Sequence, residues 1–592
     1  MFKSSAQGSL FTADHEYKDY VGTDTFYGFL AENGYRLFPD EMFESLYCAD
    51  NGRPCASPCM LTKVMLLQMY DGCSDAEAVA RASYDLRWKV ALGVELDERP
   101  FAKSTLQLHR ARVHLSGKFD ELLAATNQEA RRLGILKRSK MTVAVDTTPV
   151  YGRGAVKDTY NLVADGIKAL CRALGDLEHL HAKRWAHQND FRRYFDNSSV
   201  KGMAAIDWSN DAQRRVFLAS LVADVDRILL HADRVLADLS KEAKSRKPVE
   251  EAANLLRQLV EQDVEKTEAE PKIRDGVAKD RVISVTDPEM RHGRKSASKR
   301  FDGHKAGIAV DTESQMIVAV EVAAGNSADQ DSAMDLVEAA ETNTGMEVEK
   351  TIGDCAYGSG ETRQQFAEAG RELVAKVPSP PKDEPCHKWH FNIDVQNNRI
   401  TCPAGHVTEE WDWTSGRNAG DPPVKRFVFA KSVCANCPLA SVCIGKSYRG
   451  GGRAVFLHPQ EHQLQAARKY QATEEFRRDI TDRQVVEHRL ARLTQLGIRQ
   501  ARYFGRSKTR LQVLLAAVVA NLTLLGGIVR YPAPTMGDRA HSPRWPRSAA
   551  TISAILRTVW AVLHRALFPT YAAPPAPRWR ADFRRGGLCP GL

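Results

Sequence analysis

Two apolar β-type runs that each lead into an aspartate constrain the fold more than any other feature of the chain. The β-rich run in MTVAVDTTPVYG (141–152) ends at Asp146, and EKTIGDCAYGSG (349–360) places Asp354 between a short apolar run and a glycine-rich turn. Each aspartate taken alone is better explained as a turn residue. In open α/β sheets, however, functional side chains lie at the carboxyl ends of strands. The two runs together therefore predict two strand ends that share one cleft.

The segments between these runs predict the order strand, hairpin, helix, strand. KAGIAVDTESQMIVAVEVAAGN has the alternation of a β-hairpin that turns at 311–314, and a helix is predicted at 328–341 before the strand that ends in Asp354. A further helix near 361–369 and a strand at 372–378 follow. This βββαβ-like order indicates an α/β fold.

Three other acids compete with this pair. Asp311 also ends an apolar run, but its place in a tight hairpin favours a turn role. Asp329 and Asp331 stand at the start of a predicted helix, where capping and stabilisation by the helix dipole account for them. The functional pair is therefore predicted to be Asp146 and Asp354.

A third acid, Glu487, lies in a long predicted helix, although a solvated helix face is its ordinary interpretation. In ribonuclease-H-like folds, one acid comes from the first strand, one from the fourth strand and one from a later helix, and together they hold two divalent ions for attack on a phosphodiester. Asp146, Asp354 and Glu487 occur in that order, and their oxygens suit two Mg²⁺ ions, with Mn²⁺ as an alternative. The predicted fold class is α/β, with a ribonuclease-H-like catalytic core, a helical N-terminal domain and two insertions, one helical and one Cys-rich.

Composition divides the rest of the chain around this core. Short helices with interspersed arginines, including Arg110 and Arg112, suit a DNA-binding helix-turn-helix module and a small helical bundle equally well. The predicted segments are a helical N-terminal DNA-binding region (1–135), a first part of the core (136–156), a mainly helical insertion (157–300), a second part of the core (301–378), a Cys-rich insertion that is a candidate zinc ribbon (379–460), the C-terminal helices of the core (461–530) and a basic Pro/Arg-rich tail (531–592).

Positive charge is concentrated in a few places. The formal net charge is +9, of which the tail from Tyr531 contributes +7 through nine Arg against two Asp. Any nucleic-acid surface in the body must therefore come from local clusters. Residues 271–304 are polar and basic, with RHGRKSASKR at 291–300, and are predicted to be an exposed loop or strand pair. A second cluster could contact phosphates or form a solvated helix end, with equal weight, and consists of Arg499, Arg502, Arg506, Lys508 and Arg510.

Four cysteines in the Cys-rich insertion have the composition of a zinc site. SVCANCPLASVC supplies Cys434, Cys437 and Cys443, and TCPAGH supplies Cys402. Four thiolates suit tetrahedral Zn²⁺, and Cys-x₂-Cys is the usual knuckle. The second half of the spacing is irregular, so the substitute ligands are Cys386, His390 and His406. Free thiols are the alternative, and disulfides are not expected because the N-terminus has no apolar signal core.

One segment is apolar enough to resemble a membrane span. LQVLLAAVVANLTLLGGIVRY (511–531) is interrupted by Gln512, Asn521 and Thr523, and the chain has no second such segment. We therefore predict a helix buried in a large core, no membrane association and a cytoplasmic location.

Seven stretches carry a resemblance through their order and spacing. They are RPCASPCMLTKVMLLQMYDGCSD, VAVDTTPVYGRGAVKDTYNL, GHKAGIAVDTESQMIVAVEVAAGNSADQD, IGDCAYGS, CPAG, CANCPLASVC and VEHRLARLTQLGIRQARYFGRSKTRLQ. Together they resemble the DDE transposases of bacterial insertion sequences, most closely the insertion sequence 1182 group, over residues 40 to 528. The resemblance implies binding to the ends of a mobile DNA element and Mg²⁺-dependent cutting and rejoining of double-stranded DNA.

The same resemblance implies residue roles. Asp146, Asp354 and Glu487 would form the catalytic triad, and Arg483, four residues before Glu487, would contact DNA. Related transposases also have a Tyr and a Lys around the Glu, but Ile480 and Thr494 stand at these positions here, which places a hairpin-forming excision route in doubt. The active form would be a homodimer or larger assembly associated with the bacterial nucleoid.

The sequence therefore predicts a transposase that cleaves DNA at the element ends and transfers the freed 3′-hydroxyl to target DNA. Two alternatives stay open. One is a ribonuclease-H-like nuclease that cuts without joining, and the other is an inactive or regulatory DNA-binding relative. The presence of all three acids argues against the second alternative.

Overall fold

The computed structural model describes most of the chain up to Arg530. The described residues are 2, 11–49, 51–52, 54–137, 139–240, 243–266, 270–296, 298–377, 386–416, 423–444 and 451–530, without the side chains of 528–530. The predicted basic tail at 531–592 lies outside them.

The N-terminal region is helical, as predicted. Three of its helices end at glycines in the left-handed conformation, Gly72, Gly93 and Gly117, which residues with a side chain rarely adopt. Within the described residues the helices are α1 (Ala13–Val21), α2 (Phe26–Leu37), α3 (Pro58–Asp71), α4 (Asp75–Tyr84), α5 (Leu86–Leu92), α6 (Lys103–Ser116) and α7 (Lys118–Arg132), with a 3₁₀ helix at Asp40–Leu46.

The middle of the chain alternates strands and helices. In chain order the elements are β1 (Lys140–Tyr151), α8 (Thr159–Leu177), α9 (Ala182–Gln188), α10 (Val200–Met203), α11 (Asp211–Asp238), α12 (Arg246–Asp263), β2 (Val264–Glu265), β3 (Lys272–Ile273), β4 (Arg291–Arg294), β5 (Arg300–Asp311), β6 (Ile317–Ala324), α13 (Ala333–Thr344), β7 (Glu347–Ile352), α14 (Gly360–Glu368) and β8 (Glu372–Val374). Helices α8 to α12 enclose their own apolar cluster, which includes Trp185 and Tyr194.

The Cys-rich segment and the C-terminal helices follow. The Cys-rich segment contains two small sheets, β9–β11 and β12–β14. The elements are β9 (Asn392–Asp394), β10 (Arg399–Thr401), β11 (Val407–Thr408), β12 (Trp411–Thr414), β13 (Val424–Val428), α15 (Lys431–Ala435), α16 (Ala440–Cys443), β14 (Ala454–Leu457), α17 (Glu461–Gln471), α18 (Glu474–Asp482), α19 (Gln484–Gln495) and α20 (Arg506–Arg530).

Six strands form the central mixed sheet. Strand β1 lies between β7, which is parallel to it, and β5, which is antiparallel. Strand β8 continues the parallel half beyond β7, while β4 and β6 pair with successive parts of β5 on the other side. The hairpin of β5 and β6, the helix α13 and the strand β7 follow the predicted order. The mixed α/β class is confirmed, whereas the description of 157–300 and 379–460 as insertions stays a prediction.

Helix α20 is the predicted buried helix. It is the one described helix that is long and apolar enough to cross a membrane, and 72% of its most apolar window is buried, so it is weak evidence for a span. It packs against α3, α7 and β6. One continuous apolar cluster therefore joins the N-terminal helices, the central sheet and α20, with members such as Leu61, Val143 and Val518.

The hydrogen bonds of Asn521 explain why this polar residue lies in an apolar helix. Its side chain is fully buried. Its Oδ1 accepts from the backbone N–H of Ile317 at 2.9 Å, and its Nδ2 donates to the carbonyl of Ile317 at 2.9 Å and to Thr126 Oγ1 at 3.1 Å. Strand β6 is the outer neighbour of β5 here, so the amide satisfies strand backbone groups that no further strand pairs.

Candidate active site

Asp146 lies within β1, and Asp354 lies two residues beyond the end of β7, the parallel strand next to it. Ala144 on β1 is in register with Ile352 on β7, and each aspartate follows two residues later. Since side chains alternate along a strand, this spacing keeps both aspartates in phase with those partners. Both are partly buried, and the Asp146 side chain is 22% exposed. The structure thus places near each other the two acids that the sequence indicated, but the prediction that the first strand ends at Asp146 is wrong, because pairing with β5 continues β1 to Tyr151.

The turn after β7 is built to present Asp354. Its Oδ1 accepts from the backbone N–H of Ala356 at 2.8 Å, which caps the 3₁₀ helix Cys355–Tyr357. A Cβ on Gly353 would lie 2.7 Å from the Tyr357 side chain. Glycine is therefore required for the Tyr357 ring to fold back beneath the strand end.

The phenol of Tyr357 faces a cluster of carboxylates. The side chain is fully buried, and its hydroxyl has no hydrogen-bond partner among the described residues. Burial raises the pKa of Tyr357 well above its usual value, and the nearby charges of Asp146, Asp329 and Asp354 raise it further. A neutral phenol donor is thus held beside the candidate acids.

Asp329 belongs to this cluster, and the interpretation of it as a helix cap is wrong. Its Oδ1 accepts from Thr147 Oγ1 at 2.7 Å and from Lys305 Nζ at 2.8 Å. Asp331 makes the capping bond instead, because its Oδ2 accepts from the backbone N–H of Ala328 at 2.9 Å. Asp329 therefore contacts the residue that follows Asp146, a long-range contact that its local helix-start context conceals.

Arg483 links two of the predicted catalytic acids. Its guanidinium donates to Asp146 Oδ2 at 3.1 Å and forms a close ion pair with Glu487. Glu487 lies four residues later in the first turn of α19, so the spacing seen in the sequence has a direct structural reason. Arg483 is therefore engaged with protein carboxylates, and its assignment as a DNA contact stays a prediction.

The surroundings of Asp146 shift its pKa in both directions. Burial raises its pKa above the usual range and the charge of Asp354 adds to this, while the hydrogen bond from Thr147 and the Arg483 guanidinium lower it. The net result is a raised pKa. The carboxylate is thus disfavoured in the folded protein, and a bound cation would relieve this.

We expect Asp146→Asn to unfold at a higher temperature than the parent protein at pH 8 in EDTA. A raised folded-state pKa means that stability present below the unfolded pKa is lost as the pH rises through the folded pKa. Asparagine removes that loss, so the difference in melting temperature should shrink as the pH falls toward the ordinary pKa of aspartate, about 4. Thermal unfolding of both proteins at pH 4 and pH 8 measures it.

Asp412→Asn is the matched control. A hydrogen bond from Arg426 lowers the pKa of Asp412, so its contribution to stability is present above the unfolded pKa and removal should not stabilise the protein. A lower melting temperature for Asp146→Asn than for the parent at pH 8 would contradict the inference that the charged Asp146 carboxylate is unfavourable in the folded protein.

Glu487, the third predicted acid, does not lie together with Asp146 and Asp354 in one group. The Glu487 side chain is 53% exposed and held by Arg483. Within the described ranges, no three His, Cys, Asp or Glu side chains are grouped closely enough to bind one metal ion. The carboxylate oxygens of Asp146 and Asp354 are hard donors that suit a divalent cation. Glu487 could join them only after its ion pair with Arg483 is broken.

Most of the predicted basic contacts are used within the protein. Arg502 donates to the carbonyl of Cys73 at 2.6 Å, Arg506 pairs with Glu289, and Arg510 pairs with both Asp120 and Glu321. Arg499 and Lys508 are exposed, and neither forms an ion pair with a described residue.

The arginines of the N-terminal helix α6 also have partners within the protein. Arg110 pairs with Asp75 at 2.7 Å and is 12% exposed, while Arg112 lies over the Tyr47 ring. Phosphate contact by these residues stays a prediction.

The predicted zinc cysteines line one small cavity. Cys402, Cys434, Cys437 and Cys443 surround a space of about 20 Å³ together with His406. Burial and, to a smaller extent, the neighbouring Cys386 raise the pKa of the Cys443 thiol to about 11. Cys386 therefore also lies at this cluster, although the side chains do not converge on one point in the described structure.

Two parts of the chain match known families. Residues 401–525, which include Arg483 and Glu487, match the model of a transposase DDE domain, and residues 29–112 match the model of a transposase domain (DUF772). Neither match covers Asp146 or Asp354. No curated protein and no solved structure gives a significant match.

These matches carry general implications. DDE domains have a ribonuclease-H-like core, and DDE transposases act on DNA with divalent metal ions such as Mg²⁺ and are generally cytoplasmic. The sheet order around β1 agrees with such a core. The helical N-terminal region and the segment that carries Glu487 are thus each similar to a transposase domain, and together they support a DDE transposase.

Proposed function

We propose that the protein is a transposase that binds the ends of a mobile DNA element, cleaves them in a metal-dependent reaction and joins them to target DNA. The observation that carries the proposal is the placement of Asp146 on β1 and of Asp354 just beyond the end of the adjacent parallel strand β7, with Arg483 bonded to both Asp146 and Glu487. The insertion sequence 1182 group, a bacterial origin and association with the nucleoid are finer parts of the same proposal, and they rest on the resemblance of the sequence.

Each side chain has a role that follows from its contacts. Asp146 and Asp354 would hold two divalent cations, Mg²⁺ or Mn²⁺, and Glu487 would complete the set after leaving Arg483. Such cations, when bound, activate the attacking oxygen and stabilise the leaving oxygen. Arg483 balances the negative charge on Asp146 and Glu487, and its guanidinium becomes available to a DNA phosphate when cations replace it. Tyr357 supports the strand end from below.

A strand-transfer assay separates the possible activities. The purified full chain is incubated with DNA from both flanks of its gene, intact or with precut 3′-hydroxyl ends, and with a target plasmid. Joined products from precut ends support a transposase, and cleavage alone supports the nuclease alternative. Binding without either reaction supports the inactive relative. Light scattering with and without end DNA tests the proposed homodimer, which is expected because two ends must be held together.

The zinc assignment is a separate proposal for the Cys-rich segment. We expect about one Zn²⁺ per chain, held by Cys402, Cys434, Cys437 and Cys443 with Cys386 as the nearby substitute, because these thiols share one cavity. Metal analysis of the purified protein measures it. Replacing both Cys434 and Cys437 by serine should remove the metal, whereas Cys171→Ser, in the cluster of helices α8 to α12, should not. Equal zinc in the double variant would rule the site out.

A further inference from the structure

The hairpin of β4 and the first residues of β5 is an exposed concentration of positive charge. We call residues 291–303 the basic hairpin. It carries five cationic side chains and one acid, Asp302, which is already engaged by His292 at 2.6 Å. Four of the cations are exposed and form no ion pair with a described residue: Arg294, Lys295, Lys299 and Arg300. Their charge is thus not balanced by any acid in the described part of the chain.

The pairing of the strands makes this arrangement unfavourable for the isolated protein. Arg294 lies directly opposite Arg300 in the antiparallel register. Like charges at directly opposed positions destabilise a strand pair. On the other face, Gly293 is packed against the ring of buried Phe301, which anchors the hairpin to the sheet and directs the arginine pair to solvent. The opposed arginines are explained if a polyanion binds between them.

The basic hairpin is a direct extension of the candidate active site. Arg300 lies eight residues before Ile308, which pairs with Asp146, so the exposed cations of the hairpin begin about 26 Å along β5 from that acid at the usual rise per residue. This distance corresponds to about eight base pairs of duplex DNA. Midway, the backbone N–H of Tyr151 donates to the carbonyl of Arg499 at 2.8 Å, so an exposed cation without an ion pair lies between the two ends.

We propose that the basic hairpin binds the phosphate backbone of duplex DNA about eight base pairs from the cleaved bond, irrespective of base sequence. Its exposed side chains are arginine, lysine, serine and histidine, with no exposed aromatic or amide side chain among its described residues. Such a surface positions DNA through phosphates and carries little sequence information. The proposal rests on the proposed function for the identity of the substrate and adds a surface that holds it.

The test measures binding of a labelled 30-base-pair duplex of random sequence in EDTA over a range of salt concentrations. The variant neutralises Arg294, Lys295, Lys299 and Arg300 to glutamine. The slope of log affinity against log salt should become shallower by about 3 to 4, and affinity in 0.1 M salt should fall by about 10²-fold or more. The control neutralises four exposed cations of the segment 157–300, Arg192, Arg215, Lys247 and Lys266, and should leave the slope unchanged. Equal slopes for the two variants would overturn the proposal.

A second variant excludes a merely structural role. Arg294→Glu places a carboxylate opposite Arg300, so it should raise the melting temperature while weakening DNA binding. A decrease in both quantities, or unchanged binding, would count against the proposal. Because binding is measured without divalent cations, the outcome is independent of chemistry. A parent protein that never cleaves DNA but shows the slope difference refutes the proposed function alone, and a protein that cleaves with equal slopes refutes the basic hairpin alone.

Discussion

Asp146→Asn and Asp354→Asn are each expected to lower cleavage and joining by at least about 10³-fold while binding to end DNA is retained. The amide preserves the shape of the side chain but removes the charge that would hold a divalent cation. One carboxylate lies on β1 and the other just beyond the end of the adjacent strand β7, so neither has an obvious substitute at the same position. Rates with precut and intact ends, measured together with binding in EDTA, give the two quantities separately.

Asp311→Asn is the matched control for this experiment. Asp311 is buried at the turn between β5 and β6, where its Oδ2 accepts from the backbone N–H of Ser314 at 2.8 Å and from the Ser314 hydroxyl at 2.6 Å. The substitution should lower stability and leave the chemistry of the folded protein intact. Loss of catalysis in a folded, DNA-binding Asp311→Asn protein, with full activity in Glu487→Gln, would require a different triad.

Asn521→Leu is expected to lower the free energy of unfolding by about 3 to 5 kcal/mol. Leucine has nearly the same size, but it leaves the backbone N–H and carbonyl of Ile317 buried without a partner, and each such group costs about 1 to 3 kcal/mol. The Thr126 hydroxyl also loses its amide donor. Urea unfolding followed by circular dichroism measures the change as a lower transition midpoint.

Thr523→Val, two residues along the same helix, is the comparison. The Thr523 hydroxyl donates to the carbonyl of Ala520 in its own helix and is only partly buried, so its removal should change stability by about 0.5 kcal/mol or less. If Asn521→Leu proved as stable as Thr523→Val, α20 would not be anchored to β6 through this amide.

The acids were predictable to the extent that their signal is local. A β-type run followed by aspartate is a pattern of a few residues, and it led to the prediction of Asp146 and Asp354, although the strand that carries Asp146 continues to Tyr151. The four-residue spacing of Arg483 and Glu487 is equally local, since it is one turn of helix. Asp329 could not be distinguished from a cap, because its partners Thr147 and Lys305 are distant in sequence. Nothing in the local sequence predicts a role for Tyr357, because only the folded turn places its ring beneath the carboxylates.

The helical N-terminal region was predicted as helices, but its partner was not. Hydrophobic periodicity shows which side of a helix is buried and does not show against what. In the structure these helices share one apolar cluster with the sheet and with α20, so the first and last parts of the described chain complete each other. Because of this packing, Arg110 forms an ion pair with Asp75 and does not face solvent.

The shared apolar cluster has a consequence for synthesis on the ribosome. Residues near Leu61 leave the ribosome more than 400 residues before α20 is complete, and at about 5 to 20 residues per second this interval lasts roughly 20 to 90 seconds. During that time the N-terminal helices expose the apolar side chains that α20 later covers. Newly made chains therefore depend on chaperones over this interval, and a ribosome that stops before residue 506 releases a product that cannot complete its fold.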